Sequence, residues 1–178
     1  MAAESLEILD LDGVNRALTR IAHEILEKNQ GVEDLLLIGI RTGGAHLAAQ
    51  LRKRITDIEG TEVPLGVIDV TMYRDDLSSR SDLAIGQTNI HVPVTGKKIV
   101  LVDDVLYTGR TIRAALDAVI AFGRPENIQL AILVDRGHRE LPIRPDYIGR
   151  NIPTAQNEQI EVDFDSQNIP QAVYLLRN

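Results

Sequence analysis

Three short, largely apolar runs constrain this chain most: LLLIGI at 35–40, IVLV at 99–102 and IQLAILV at 128–134, the last broken only by Gln129. A strand with one wet face alternates apolar and polar residues, whereas an uninterrupted apolar run needs cover on both faces. Outside these runs the periodicity becomes that of a helix. Leu11, Val14, Leu18, Ile21 and Ile25 recur at steps of three and four, which predicts an amphipathic helix over 11–28, ended by Asn29-Gln30-Gly31. Further helices are predicted over 44–56, after the turn Arg41-Thr42-Gly43-Gly44, and over 111–122, closed by Gly123 and Pro125. LGVIDVTMY at 65–73 reads as one more strand. Strands alternating with helices in this way build an α/β fold, a mainly parallel sheet flanked by helices on both faces.

Two stretches break the rhythm. Residues 73–91 are polar and aperiodic, as expected of a mobile lid. After Val134 come four prolines and short apolar runs, so 135–178 is expected to form a small irregular cap closed by two strands, EQIEVDF and QAVYLLR. The 178 residues suffice for a single domain over 1–178. With 44% apolar but only 3% aromatic residues, its core must be aliphatic.

The absence of cysteine excludes a disulfide framework and thiolate metal sites. No apolar run approaches the roughly 20 residues of a membrane helix. MAAESLEILDLD lacks the basic start of a signal peptide, and the expected location is cytoplasmic. The net charge of −7 excludes a protein that coats nucleic acid broadly, while leaving room for a compact basic patch. His23, His46, His91 and His138 form no HxxxH or HExxH pair, which argues against a histidine metal site.

The chemistry concentrates in IVLVDDVLYTGRT at 99–111. Adjacent Asp103 and Asp104 repel one another and lose hydration where a buried strand ends, so hydroxyls or a cation should meet them there. In a parallel sheet that end faces the ligand. Thr108-Gly109-Arg110-Thr111 then opens a helix, whose free N–H groups and dipole favour phosphate. Two carboxylates one short loop from a phosphate suit a phosphorylated ribose. Arg41-Thr42-Gly43-Gly44 occupies the same place after another buried run and offers a second anion nest. There is no GxxxxGK[ST], and no GxGxxG follows a strand. ILDLDGV at 8–14 imitates the nucleophile motif of haloacid-dehalogenase-type phosphatases, with Asp10 as nucleophile and Asp12 as acid. Its alternating polarity favours instead Asp10 or Asp12 as the N-cap of the first helix.

The 99–111 stretch resembles the phosphoribosyl pyrophosphate (PRPP) signature of type I phosphoribosyltransferases. Together with TMYRDDL at 71–77 and VDRGHRELPIRPDYIGRNIPT at 134–154, it resembles the PyrR family, bifunctional uracil phosphoribosyltransferases and regulators of pyrimidine operons. The likeness spans nearly the whole chain. It implies a type I phosphoribosyltransferase fold and conversion of uracil and PRPP to UMP and pyrophosphate. Tyr107, Thr108, Gly109, Arg110 and Thr111 would form the 5′-phosphate loop, and Arg41, Thr42, Gly43 and Gly44 the pyrophosphate loop. Asp103 and Asp104 would hold the ribose hydroxyls, and Arg41 would neutralise leaving charge. Arg74 would reach the pyrophosphate from the lid or stay a solvated lid charge. Arg136 and the backbone near Ile152 would meet uracil. Mg²⁺ would be held mainly through PRPP, with Asp103 and Asp104 as the protein oxygens at hand and no all-protein cage.

Purine-salvage relatives carry an acid where this chain has Tyr107, a phenol and a poor base at neutral pH, which suits a pyrimidine acceptor. The alternative is that Tyr107 packs under the loop. The resemblance also implies binding of pyrimidine-operon leader RNA, with UMP or UTP as effectors. The RNA contacts would be Arg16, Thr19, Arg20 and His23 on one helix face, with Arg139, Arg144 and Arg150 from the cap. On residues alone, that helix face with Glu24 and Glu27 reads as a solvated, charge-paired surface. A homodimer or dimer of dimers is implied. A regulator without catalysis that uses PRPP and UMP only as effectors is the rival reading.

Overall fold

The computed structural model describes residues 4–71 and 88–177. In chain order the elements are β1 (Glu4–Leu9), α1 (Leu11–Asn29), β2 (Leu35–Ile40), α2 (Gly43–Glu59), β3 (Leu65–Ile68), β4 (Lys98–Leu106), α3 (Arg110–Ile120), β5 (Asn127–Asp135), β6 (Tyr147–Asn151), β7 (Glu158–Phe164) and β8 (Pro170–Arg177). Of the predicted lid, residues 73–87 lie outside the described residues. Asn89 forms an isolated antiparallel bridge to Val67.

The central sheet has the order β3-β2-β4-β5-β6 with every neighbour parallel. Its apolar residues are sorted by the strand's two-residue period. Leu35, Leu37, Val100, Val102, Ala131 and Leu133 face a core shared with α1 and α2. Leu36, Ile38, Ile40, Ile99, Leu101, Leu130 and Ile132 face the core built with α3. Both faces are covered, as the runs require. Asp10 caps α1, its Oδ1 accepting a hydrogen bond from the Gly13 N–H at 2.8 Å. It follows an exposed edge strand in an antiparallel sheet, not the end of a buried parallel strand, so the phosphatase reading has no structural support.

The cap differs from expectation in two places. YIGRN at 147–151, expected to be irregular, is β6 and extends the parallel sheet beside β5. Its five residues are too few to show a period, and pairing with β5 decides its state. The expected pair of cap strands is a three-stranded antiparallel sheet, β1-β8-β7. The additional strand, β1, comes from the opposite end of the chain, with Leu6 opposite Leu175. This sheet packs through Val173, Ile160 and Val162 onto the core that includes α1.

A buried polar triad fixes how α1 and β6 meet β5. The Asn29 amide donates to the Gln129 side-chain oxygen at 3.1 Å, and Gln129 donates back at 2.8 Å. The Tyr147 hydroxyl donates to the same Gln129 oxygen at 2.6 Å. Burial is the main cause that pushes the Tyr147 phenol up to about 12. The unfolded phenol ionises near 10, so the unfolded state loses its proton first and stability should fall as pH rises from about 10 to about 12. The contribution should not exceed about 1.4 kcal/mol per pH unit. Urea unfolding between pH 9 and 12 should show this slope in the wild type and lose it in Tyr147→Phe.

Candidate functional site

The chain leaves β2 toward β3 on one side and leaves β4 toward β5 on the other. The sheet therefore has its switch point between β2 and β4, where a crevice opens beyond the carboxyl ends. Strand β4 does not stop at Val102, as its apolar run suggested. It continues to Leu106, with Asp103 opposite Ile132 and Val105 opposite Val134 of β5. On its other side the ladder with β2 ends at Gly39–Val102. The two acids thus flank the crevice while the β5 ladder still holds their backbone. Asp103 is buried and its Oδ1 accepts from the Asp104 N–H at 2.9 Å. Half-buried Asp104 accepts from the Val105 N–H at 2.8 Å.

The loop after β2 meets these acids directly. Its Arg41–Thr42 peptide is cis, and α2 begins at Gly43. A Cβ at position 43 would overlap the Asp104 carboxylate, and one at 44 would overlap the Val102 carbonyl. Only a backbone without side chains can bring the start of α2, with its unsatisfied N–H groups, this close to the acids.

On the β4 side, Gly109 takes φ +94° as the N-cap of α3. Thr108 Oγ1 accepts from the Arg110 N–H at 3.3 Å. Asp103 and residues 105–112, with Glu140, line a cavity of about 360 Å³ at this helix start. A second cavity of about 320 Å³ is lined by residues 135–139 with Asn151, Pro153 and Thr154. Ile152 lies just behind it, its N–H donating to the Asp135 carbonyl at 2.9 Å.

Residues 135–143 join the two cavities. Glu140 and Leu141 donate backbone N–H groups to the Thr108 carbonyl at 2.9 and 3.2 Å. Arg139 donates to the Tyr107 carbonyl at 2.6 Å, to the Ile143 carbonyl at 2.8 Å and to Asp135 at 2.6 Å. Arg136 is buried and its guanidinium lies 4.0 Å from the Tyr107 ring centroid. The sequence reading missed His138, Glu140, Asn151 and Thr154 as site residues. The only signal for them was the specific stretch that includes GHRE at 137–140; nothing local marks a cavity wall.

Among the residues expected to meet RNA, Arg16, Thr19, Arg20 and His23 are exposed on α1. Arg20 also donates to the Ile148 and Gly149 carbonyls at 3.0 and 2.7 Å, covering the outer edge of β6, and pairs with Glu24. Thr19 accepts from Arg54 at 3.2 Å. Arg150, on β6, donates to the Ile8 carbonyl at 3.0 Å, and Arg144 is exposed. Arg139 is turned toward the 107–109 loop, and Arg74 lies outside the described residues.

The sequence profile of the phosphoribosyl transferase domain family matches residues 4–168. The bifunctional protein PyrR of Geobacter sulfurreducens is 58% identical over 174 residues, covering 97% of this chain and 98% of that protein. The bifunctional protein PyrR of Halalkalibacterium halodurans is 60% identical over 156 residues, covering 86% and 87%. Among solved structures, a hypoxanthine phosphoribosyltransferase from Trypanosoma cruzi aligns with a TM-score of 0.76 at 22% identity, over 98% of this chain and 96% of that one. A hypoxanthine-guanine phosphoribosyltransferase from Bacillus anthracis aligns with a TM-score of 0.72 at 19% identity, over 98% and 99%. At those identities the structures establish the fold alone.

Proposed function

Because the chain belongs to the phosphoribosyl transferase domain family and, within it, to the bifunctional PyrR proteins, we propose that it transfers phosphoribosyl from PRPP to uracil, giving UMP and pyrophosphate. We further propose that uridine nucleotides in the same site govern binding of pyrimidine-operon leader RNA. One observation carries the catalytic reading: the starts of two helices converge on Asp103 and Asp104 at the sheet's switch point, with Gly43 against Asp104.

In this reading the 5′-phosphate sits on residues 108–111 and the pyrophosphate on 41–44, so PRPP spans the acids. Bond cleavage at the ribose C1 builds positive charge on the sugar and negative charge on pyrophosphate. The carboxylates stabilise the first, while Arg41 and the α2 N–H groups stabilise the second. Uracil N1 bonds to C1 as the bond from C1 to the pyrophosphate oxygen breaks, and the N1 proton passes to the departing pyrophosphate. The two adjacent carboxylates offer hard oxygen donors that fit Mg²⁺. Bound there with PRPP, Mg²⁺ would supply neutralisation of phosphate charge.

The base lies in the second cavity, near Arg136 and the backbone about Ile152. For regulation, the exposed α1 face carrying Arg16, Thr19, Arg20 and His23 contacts RNA, and Arg139, Arg144 and Arg150 from the cap add to it, Arg150 from β6 itself. The family resemblance adds a cytoplasmic homodimer or dimer of dimers.

Incubation with PRPP, Mg²⁺ and equimolar uracil, hypoxanthine, guanine and orotate tests the reading. UMP should dominate the products, by at least about a hundredfold in kcat/KM, because a site built for one base's hydrogen bonds leaves its polar groups unpaired with another. A purine preference would overturn the pyrimidine assignment. Tight UMP binding without any pyrophosphate release would identify the non-catalytic regulator instead.

A further inference from the structure

Resting on the uracil transferase reading, we propose that Tyr107 is a positioning residue for the base, acting through the face of its ring on Arg136. The Arg136 guanidinium stacks over that face, 4.0 Å from the centroid. Three acceptors on the far side hold it there. Nε donates to Thr154 Oγ1 at 3.1 Å, and Nη2 donates to the carbonyls of Glu158 at 2.6 Å and Ala155 at 3.4 Å. Among the described residues, Nη1 donates to no protein acceptor. Arg136 lines the base-side cavity, so this arrangement leaves one oriented cationic donor for a carbonyl oxygen of an oxo-pyrimidine.

The ring itself is held in place. Arg139 grips the Tyr107 carbonyl at 2.6 Å, and the His138 ring meets the Tyr107 ring edge-on at 5.6 Å. Tyr107 lines the phosphate cavity, and Arg136, stacked on it, lines the other. The residue that replaces a purine-type acid thus takes a different role. It presents a π face that orients a neighbouring cation, and its hydroxyl is not needed for that.

The test is steady-state kinetics with uracil and PRPP on Tyr107→Phe and Tyr107→Leu. Loss of the ring face should raise the uracil KM about tenfold in Tyr107→Leu, within the range of a partly desolvated cation–π contact, with PRPP KM and kcat changed less than about threefold. Tyr107→Phe should restore the uracil KM. A double-mutant cycle with Arg136→Lys should be non-additive, because the two side chains act as one unit. Tyr107→Phe as impaired as Tyr107→Leu would assign the effect to the hydroxyl and overturn the proposal. Equal rises in both KM values would make the ring a support for the phosphate loop, which overturns it too. If Tyr107→Leu does not fold, as judged by circular dichroism, Tyr107→Gln, which removes the ring at this exposed position, takes its place in the same kinetics and in the cycle with Arg136→Lys. Wild-type protein that makes no UMP would refute the underlying reading, a result distinct from any pattern among the variants.

Discussion

Asp104→Asn is expected to lower kcat for UMP formation by about 10²–10³, the usual cost of removing one preorganised electrostatic group from a reacting centre. The fold should survive. Asp104 is half-buried, and an amide oxygen can still accept the Val105 N–H that Oδ1 takes at 2.8 Å. What disappears is a negative charge that, in the proposed reaction, lies beside the ribose where positive charge develops as the pyrophosphate departs. Pyrophosphate release under saturating PRPP and uracil, with a thermal melt as the folding control, measures this. Undiminished turnover would remove Asp104 from the mechanism.

Gly44→Ala is expected to damage both stability and activity. The new Cβ would overlap the Val102 carbonyl and lie 3.0 Å from the Asp103 Cα, backbone atoms that cannot rotate away. Either α2 or β4 must shift, at a cost of about 3 kcal/mol. For a chain of this length that corresponds to a fall in Tm of roughly 6–12 °C. The same shift would move the 41–44 loop from the acids, so turnover should fall further than the folded fraction. Gly43→Ala should separate the two effects, since its Cβ meets the Asp104 side chain, which can rotate. That variant should keep most of its Tm yet lose activity. Calorimetry beside a UMP assay tests both; a Gly44→Ala protein with wild-type Tm would show that α2 and β4 have slack.

Much of the site was legible because its parts are local. Gly109 and Thr111 mark a helix start wherever the chain runs, and Gly43 and Gly44 mark another. Two acids after an apolar run point to a strand end facing a ligand. That β4 continues through those acids was not legible, because hydrogen bonds to β5 hold Asp103 and Val105 in the ladder. Nor were the partners of the surface arginines. By composition Arg20, Arg139 and Arg150 are equivalent surface cations, yet each donates to carbonyls that only folding brings within reach.

The sequence by itself determined the parallel sheet, the helices that cover it and the two glycine-bearing turns that open α2 and α3. Each depends on periodicity or turn chemistry within about a dozen residues, which the backbone reads locally. Tertiary structure alone decided that β1 pairs with β8 from the other end of the chain, that β6 joins the main sheet, and that Arg136 lies on Tyr107. Those pairings join residues far apart in sequence. An exposed alternating strand, a five-residue strand or an isolated arginine carries no local pattern strong enough to name its partner, so packing against an already formed core selects it.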